Sequence, residues 1–151
     1  MRAVDAAEAG RADIVFVAVT WSKLPAALAH LPAWAGRIVI DANNPLEGYP
    51  PKLVDLNGRL SSELFSELVP GGRVVKAFNH LPAALLGSDP KREGGRRVLF
   101  FSGNDAEAKL RVGALIDRLG FFGIDLGPLS IGARLAQPGG SLPALNLVKF
   151  D

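Results

Sequence analysis

Residues 73–82, RVVKAFNHLP, decide the fold. Val74, Val75, Ala77 and Phe78 form a short apolar run after the Gly71-Gly72 turn, the pattern of a strand buried on both faces. Pro82 suits the first turn of a following helix. In open parallel α/β sheets, ligands bind outside the carboxyl ends of the strands, so this run delivers Phe78, Asn79 and His80 to a ligand edge.

The same punctuation repeats along the chain. Apolar runs at 14–19, 37–41, 97–101 and 121–126 predict four more strands. Between them, Ser22 is placed to cap a helix carrying Leu24, Leu28 and Leu31, and Ser61 one carrying Leu64, Phe65 and Leu68. Asp105 is placed to cap a third helix, with Val112, Leu115, Ile116 and Leu119 on one face and Glu107 and Arg111 paired four apart. A short helix is expected over 82–86 with Gly87 as its stop, and the first nine residues suit a helix closed by Gly10. Residues 46–60, with Gly48, Pro50, Pro51 and Gly58, show no periodicity and predict a surface excursion. The tail from 129 carries Pro138-Gly139-Gly140 and an apolar end at 142–150, which suits a docking segment or a subunit contact. Strands recurring about every two dozen residues, with helices between them, predict a doubly wound, mostly parallel α/β sheet.

Composition excludes several function classes. In 151 residues there are 17 basic and 15 acidic side chains, so no basic stripe for nucleic acid is present. The cluster Lys91, Arg92, Arg96 and Arg97 is broken by Glu93 and two glycines and suits a solvated loop. The absence of cysteine removes disulfides, thiolate catalysis and thiolate-bound zinc. No apolar run approaches a membrane span and no signal peptide opens the chain, so a soluble cytoplasmic protein is expected.

Three consecutive strand ends carry Thr20-Trp21-Ser22, Asn43-Asn44-Pro45 and Phe78-Asn79-His80. Small or amide-bearing residues there favour a flat polar ligand such as a nucleotide. No G-x-G-x-x-G turn, the usual pyrophosphate anchor, occurs in the 151 residues. The nearest substitute is Ser102-Gly103-Asn104-Asp105, where the Asp105 carboxylate competes for the helix N-terminus. His80 can titrate near neutrality at the ligand edge, yet could equally cap the short helix or meet solvent. His30 suits an exposed helix end. Lys76 and Asn79, three apart on a strand, point to opposite faces, and Asp41 and Asp125 lie on different strands without an acid–base partner. Trp21 suits either ring stacking or filling the sheet edge. Neither a metal set nor a catalytic side chain is expected.

Taken together, IVFVAVTW, IVIDANNP, RVVKAFNHLPAALL, RRVLFFSGNDAEAK, LGFFGIDLGPL and RLAQPGGSLPALN resemble the NADP-dependent oxidoreductases typified by the reductase that passes hydride between NADPH and the deazaflavin coenzyme F420. The same blocks are similar to the cytoplasmic reductase domain of the STEAP metalloreductases. The resemblance implies that residues 1–151 form one NADP-binding, Rossmann-like domain lacking the family's first β-α-β unit, and impaired activity is expected for that reason. It implies that Val19, Thr20 and Trp21 lie along the cofactor's ribose and pyrophosphate side, that Asn43, Asn44 and Pro45 form the next wall, and that Ala77, Phe78 and Asn79 come nearest the nicotinamide. NADP is the implied cofactor and a deazaflavin or flavin the implied hydride partner. Small-molecule cofactors are the expected partners, together with a second copy of the chain in a homo-oligomer. The competing expectation is a non-enzymatic Rossmann-like remnant that acts by association.

Overall fold

The computed structural model describes residues 2–150; Met1 and Asp151, which the expected first helix and apolar tail adjoin, lie outside the described residues. In chain order the elements are α1 (Ala6–Ala9), β1 (Ile14–Val17), α2 (Leu24–Leu28), β2 (Ile38–Asp41), β3 (Leu46–Glu47), β4 (Lys52–Leu53), α3 (Ser61–Leu68), β5 (Arg73–Ala77), α4 (Ala83–Leu86), β6 (Lys91–Arg92), β7 (Gly95–Gly103), α5 (Ala106–Arg118), β8 (Phe122–Asp125), α6 (Leu129–Ala136) and β9 (Val148–Lys149). The main sheet runs β1-β2-β5-β7, with β8, β6 and β9 all pairing with β7. β1, β2 and β5 are parallel, as are β7 and β8, so the mostly parallel α/β sheet is borne out.

Period-two alternation builds both faces. Ile38 and Ile40 of β2 and Val75 and Ala77 of β5 point to one side, where they join Val112 and Ile116 of α5. Val39 and Val74 point to the other, against Leu24 and Leu28 of α2, Phe65 of α3 and Ala133 of α6. Each large side chain among these contributes about 1.5–3 kcal/mol by leaving water.

One pairing departs from an all-parallel reading. β5 and β7 are antiparallel, with Val75 opposite Gly103 and Ala77 opposite Phe101. The cause is the length of α4. Four helical residues rise about 6 Å, too little to return the chain to the start of the sheet, so it re-enters from the edge at which it left. The carboxyl ends of β7 and β8 consequently face the edge opposite to those of β1, β2 and β5.

Other local expectations change as well. β1 is not covered on both faces: it ends the sheet, and Phe16 is 50% and Val19 39% exposed. Ser22 caps nothing, because residues 21–23 form a 3-10 turn and its N–H is taken by the Glu47 carboxylate. Ser61 lies just inside α3, whose Leu60 N–H is satisfied by Glu63 at 3.1 Å. Asp105 caps α5 as expected, accepting from the Ala108 N–H at 2.7 Å. Glu107 pairs with Arg73 at 2.9 Å rather than with Arg111. Arg97, read as part of a solvated cluster, is 1% exposed. Its guanidinium donates to the Leu85 carbonyl, Ser88 Oγ and Asn146 Oδ1 at 2.7–2.9 Å, joining α4 to the tail. The tail does dock, through α6 and through β9 on β7, and helix α6 within it was not expected. Among the described residues no helix is long and apolar enough to cross a membrane.

Candidate functional site

The parallel register carries Val17, Asp41 and Ala77 toward one edge, and the loops leaving it are tied to each other by side-chain amides. Asn43 is buried, and its Oδ1 accepts from the Val19 N–H at 2.8 Å, joining the first loop to the second. Asn44 Nδ2 donates to the Asn79 carbonyl at 2.8 Å while Asn79 Nδ2 donates to Asn44 Oδ1 at 3.2 Å, joining the second to the third. Asn79 Nδ2 also donates to the Ala136 carbonyl at 2.8 Å, which brings the end of α6 into the same wall. Val19 and Thr20 are exposed, Trp21 is partly buried against the core, and Pro45, Ala77, Phe78 and Asn79 are buried. These nine residues thus share one edge.

Beneath the loops lies a network that sequence reasoning did not find. Lys76 Nζ sits 3.0 Å from Asp41 Oδ2, with both side chains at 0% exposure. Lys76 also donates to the Asn43 carbonyl. Asp41 Oδ1 accepts from the Asn43 N–H at 3.0 Å and from its Nδ2 at 2.9 Å, and Oδ2 accepts from Ser62 Oγ at 3.3 Å. A buried charge is tolerable only when paired and hydrogen-bonded, and here three of the bonds converge on Asn43. The signal was present in the sequence: one lysine and one aspartate interrupt apolar strands at positions of matching parity. Asp41 accordingly has a partner, and Asp125 has one in Lys109 at 2.9 Å, so neither is a free carboxylate.

Two groups at the edge remain unsatisfied. Asn79 Oδ1 is buried without a hydrogen-bond partner, its amide being oriented by the two bonds to Nδ2. Both ring nitrogens of His80 are buried and unpartnered, with the ring 4.9 Å from that of Phe100. Burial pulls the His80 imidazole down to about 4, which keeps it neutral near pH 7. His80 therefore neither caps α4 nor meets solvent. Phe78 adopts a left-handed φ of 63°, a conformation costing a non-glycine residue roughly 1–3 kcal/mol, and its ring lies 5.2 Å from Phe16. Ser102 to Asp105, the alternative phosphate candidate, lie at the opposite edge, level with Val74 and Val75, and the Asp105 carboxylate holds the first turn of α5.

Residues 46–60 are more ordered than their composition suggests. β3 and β4 form a small antiparallel hairpin tied at one side to Ser22 by Glu47. The following segment meets α6, where Gln137 Oε1 accepts from Ser61 N and Oγ, each at 3.2 Å. A pocket of about 260 Å³ lies between the two. A larger cavity, about 590 Å³ between α5 and β8, belongs to the opposite edge and shares no residue with the site.

Comparison with known proteins shows what the chain is similar to. Residues 1–45 match the family described as NADP oxidoreductase, coenzyme F420-dependent. The chain is 33% identical over 118 residues to metalloreductase STEAP3 of Rattus norvegicus, covering 78% of this chain and 23% of that protein's length. Among solved structures it is similar to the hypothetical protein SMa0349 of Sinorhizobium meliloti, with a TM-score of 0.92 and 46% identity over 97% of this chain and 71% of the other. A protein from Arthrobacter sp. FB24, assigned as an F420-dependent NADP-reductase, superimposes with a TM-score of 0.71 and 36% identity over 83% of this chain and 59% of its own.

Proposed function

The chain belongs to the coenzyme F420-dependent NADP oxidoreductase family, and from that premise we propose that it serves NADP-dependent hydride transfer at the edge formed by β1, β2 and β5. In this reading Val19, Thr20 and Trp21 border the ribose and pyrophosphate, Asn43, Asn44 and Pro45 form a wall, and Ala77, Phe78 and Asn79 receive the nicotinamide. The acceptor is a deazaflavin or a flavin. Bound NADPH would supply a hydride, and the chain's residues would hold the two rings in reacting geometry and keep water away. The observation that carries the reading is Asn79 Oδ1, a buried acceptor without a donor at the end of β5. Leaving such an atom unmet costs about 1–3 kcal/mol, and a carboxamide N–H is a donor of the kind it lacks. The residues present therefore fit a nicotinamide. His80, neutral and packed on Phe100, adds an apolar wall rather than a charge.

A second reading is favoured by the exposed apolar residues of β1 and the loop that leaves it, where Phe16, Ala18 and Val19 face solvent. A chain with such an edge could act by association without catalysis. Titrating isotope-labelled protein with NADP+ to millimolar concentration and following backbone amide shifts separates the two. Shifts concentrated at Val19, Asn43, Phe78 and Asn79 are expected for the oxidoreductase; shifts elsewhere or none would leave association as the better account.

A further inference from the structure

The pocket between residues 45–60 and the end of α6 supports an inference that rests on the proposed function and deepens it. It is lined by Pro45, Leu53, Leu56, Arg59, Arg134 and Gln137, among others. Two of these belong to the site's own wall. Pro45 follows Asn44, which is bonded to Asn79, and Gln137 follows Ala136, whose carbonyl receives Asn79 Nδ2. The pocket therefore adjoins the wall that carries Asn79. At about 260 Å³ the space is smaller than the roughly 300–1,000 Å³ that takes a whole drug-sized molecule, and it suits one arm of a ligand.

The charges in the pocket are unequally engaged. Arg59 is paired with Glu67, whose carboxyl is held below its usual range by that guanidinium. The Asp55 carboxylate accepts from the Asn57 N–H at 2.8 Å. Gln137 turns its oxygen to Ser61, which leaves the amide Nε2 as a donor. The side chain of Arg134, in the last turn of α6, has no hydrogen bond or ion pair with any described residue. We propose that this pocket binds an anionic arm, a phosphate or a carboxylate, carried by the hydride acceptor, with Arg134 as its charge partner and Gln137 as a second donor. The guanidinium's planar fork matches either oxyanion, and the leucines take the aliphatic stem that precedes it.

Three probes share one flavin ring and differ in the arm: FMN ends in a phosphate, 10-carboxymethylflavin in a carboxylate, and riboflavin in a neutral chain. Quenching of flavin fluorescence by the purified chain measures each affinity without nicotinamide. At least one anionic probe is expected to bind about tenfold more tightly than riboflavin, one charge-assisted contact's worth, and Arg134→Gln to remove that preference. Arg134 is exposed, so the variant is expected to fold, and riboflavin affinity serves as its internal control. Equal binding of all three, no binding of any, or a preference that survives in Arg134→Gln overturns the proposal. The NADP+ titration is separate: absent shifts at Asn79 would refute the hydride-transfer reading, whereas the flavin comparison judges the pocket alone.

Discussion

Asp41 and Lys76 are cross-strand neighbours in the β2–β5 register and meet as an ion pair at 3.0 Å with no solvent exposure on either side chain. The pair is therefore a support for the loop above it, since both partners also bond Asn43. Removing one charge strands the other in the core, at a cost of about 3–5 kcal/mol. Lys76→Met is expected to lower stability by that amount. Adding Asp41→Asn should recover part of it, because a neutral amide oxygen still accepts from Asn43 while the unpaired charge is gone. Urea denaturation of the single and double variants decides the point; a double variant less stable than Lys76→Met would contradict it.

His80 makes stability depend on pH in one direction. Its imidazole is depressed to about 4 in the native state by burial, below the usual 6.5, so the unfolded chain binds the proton first. Its contribution is complete above pH 6.5 and is lost as pH falls toward 4, at up to about 1.4 kcal/mol per pH unit and roughly 3 kcal/mol in all. His80→Phe should flatten that part of the profile without loss at pH 8, since the ring nitrogens make no hydrogen bond. Urea midpoints measured between pH 8 and 4 would show equal slopes for both proteins if His80 were not the cause.

Gly132 allows α6 to approach β7. A Cβ placed there would stand 2.4 Å from Ser102 Cβ and 2.7 Å from Leu126 Cβ, so Gly132→Ala must push the helix outward. Overpacking of this kind typically costs about 1–3 kcal/mol. Because α6 also presents the Ala136 carbonyl to Asn79, the same change is expected to loosen the site. Thermal denaturation should show a lower midpoint for Gly132→Ala than for the exposed Ser130→Ala, and amide exchange at Asn79 should quicken. Unchanged exchange would separate the helix from the site.

The alternation of Ile38, Val39 and Ile40 made β2 legible, and the capping Asp105 made the start of α5 legible, because each is a local pattern with one physical solution. The three strand ends with small or amide-bearing residues were likewise visible, since parallel neighbours share an edge. What could not be seen was long-range. The antiparallel turn of β7 depends on α4 being too short to cross the sheet, and that length was readable only as a short helix, not as a reversal. Burial of Arg97 depends on Asn146, which lies 49 positions away. Helix α6 was hidden because Gly132 lies inside it and Pro138 and Gly139 follow closely, residues that favour turns when tertiary contacts are left out of account.

The free side of β1 predicts self-association. Phe16 is exposed on a strand whose outer edge pairs with nothing among the described residues, Val19 is exposed just beyond its end, and beside them lies an apolar groove of about 280 Å³ lined in part by Ala6, Gly10, Leu28 and Leu31. Exposed apolar edge strands recruit other chains, and a lysine on such an edge opposes pairing. Sedimentation at rising concentration should show association for the parent chain and a shift toward monomer for Phe16→Lys. A parent that stays monomeric at high concentration would remove the basis for this expectation.

The last expectation concerns affinity for NADPH. The edge offers side-chain amides at Asn43, Asn44 and Asn79, but Asn44 and Asn79 are bonded to one another and Asn43 to Val19 and Asp41, and the 151 residues contain no G-x-G-x-x-G turn to present backbone amides to a pyrophosphate. Ser102 to Asp105 cannot substitute. They lie at the opposite edge of the sheet, and Asp105 fills its own helix N-terminus with a carboxylate that accepts from Ala108. Each charge-assisted hydrogen bond left unmade forgoes about 1.5–3 kcal/mol, so three or four of them move a micromolar site to millimolar or weaker. Calorimetric titration of this chain with NADPH is therefore expected to give millimolar affinity or worse, and appending a segment with the glycine turn to tighten it by at least tenfold. Micromolar binding by the 151 residues alone would mean that other amides on this edge hold the phosphates, and the N–H groups of Thr20 and Trp21 would be the first to test by their shifts, since that of Val19 is donated to Asn43.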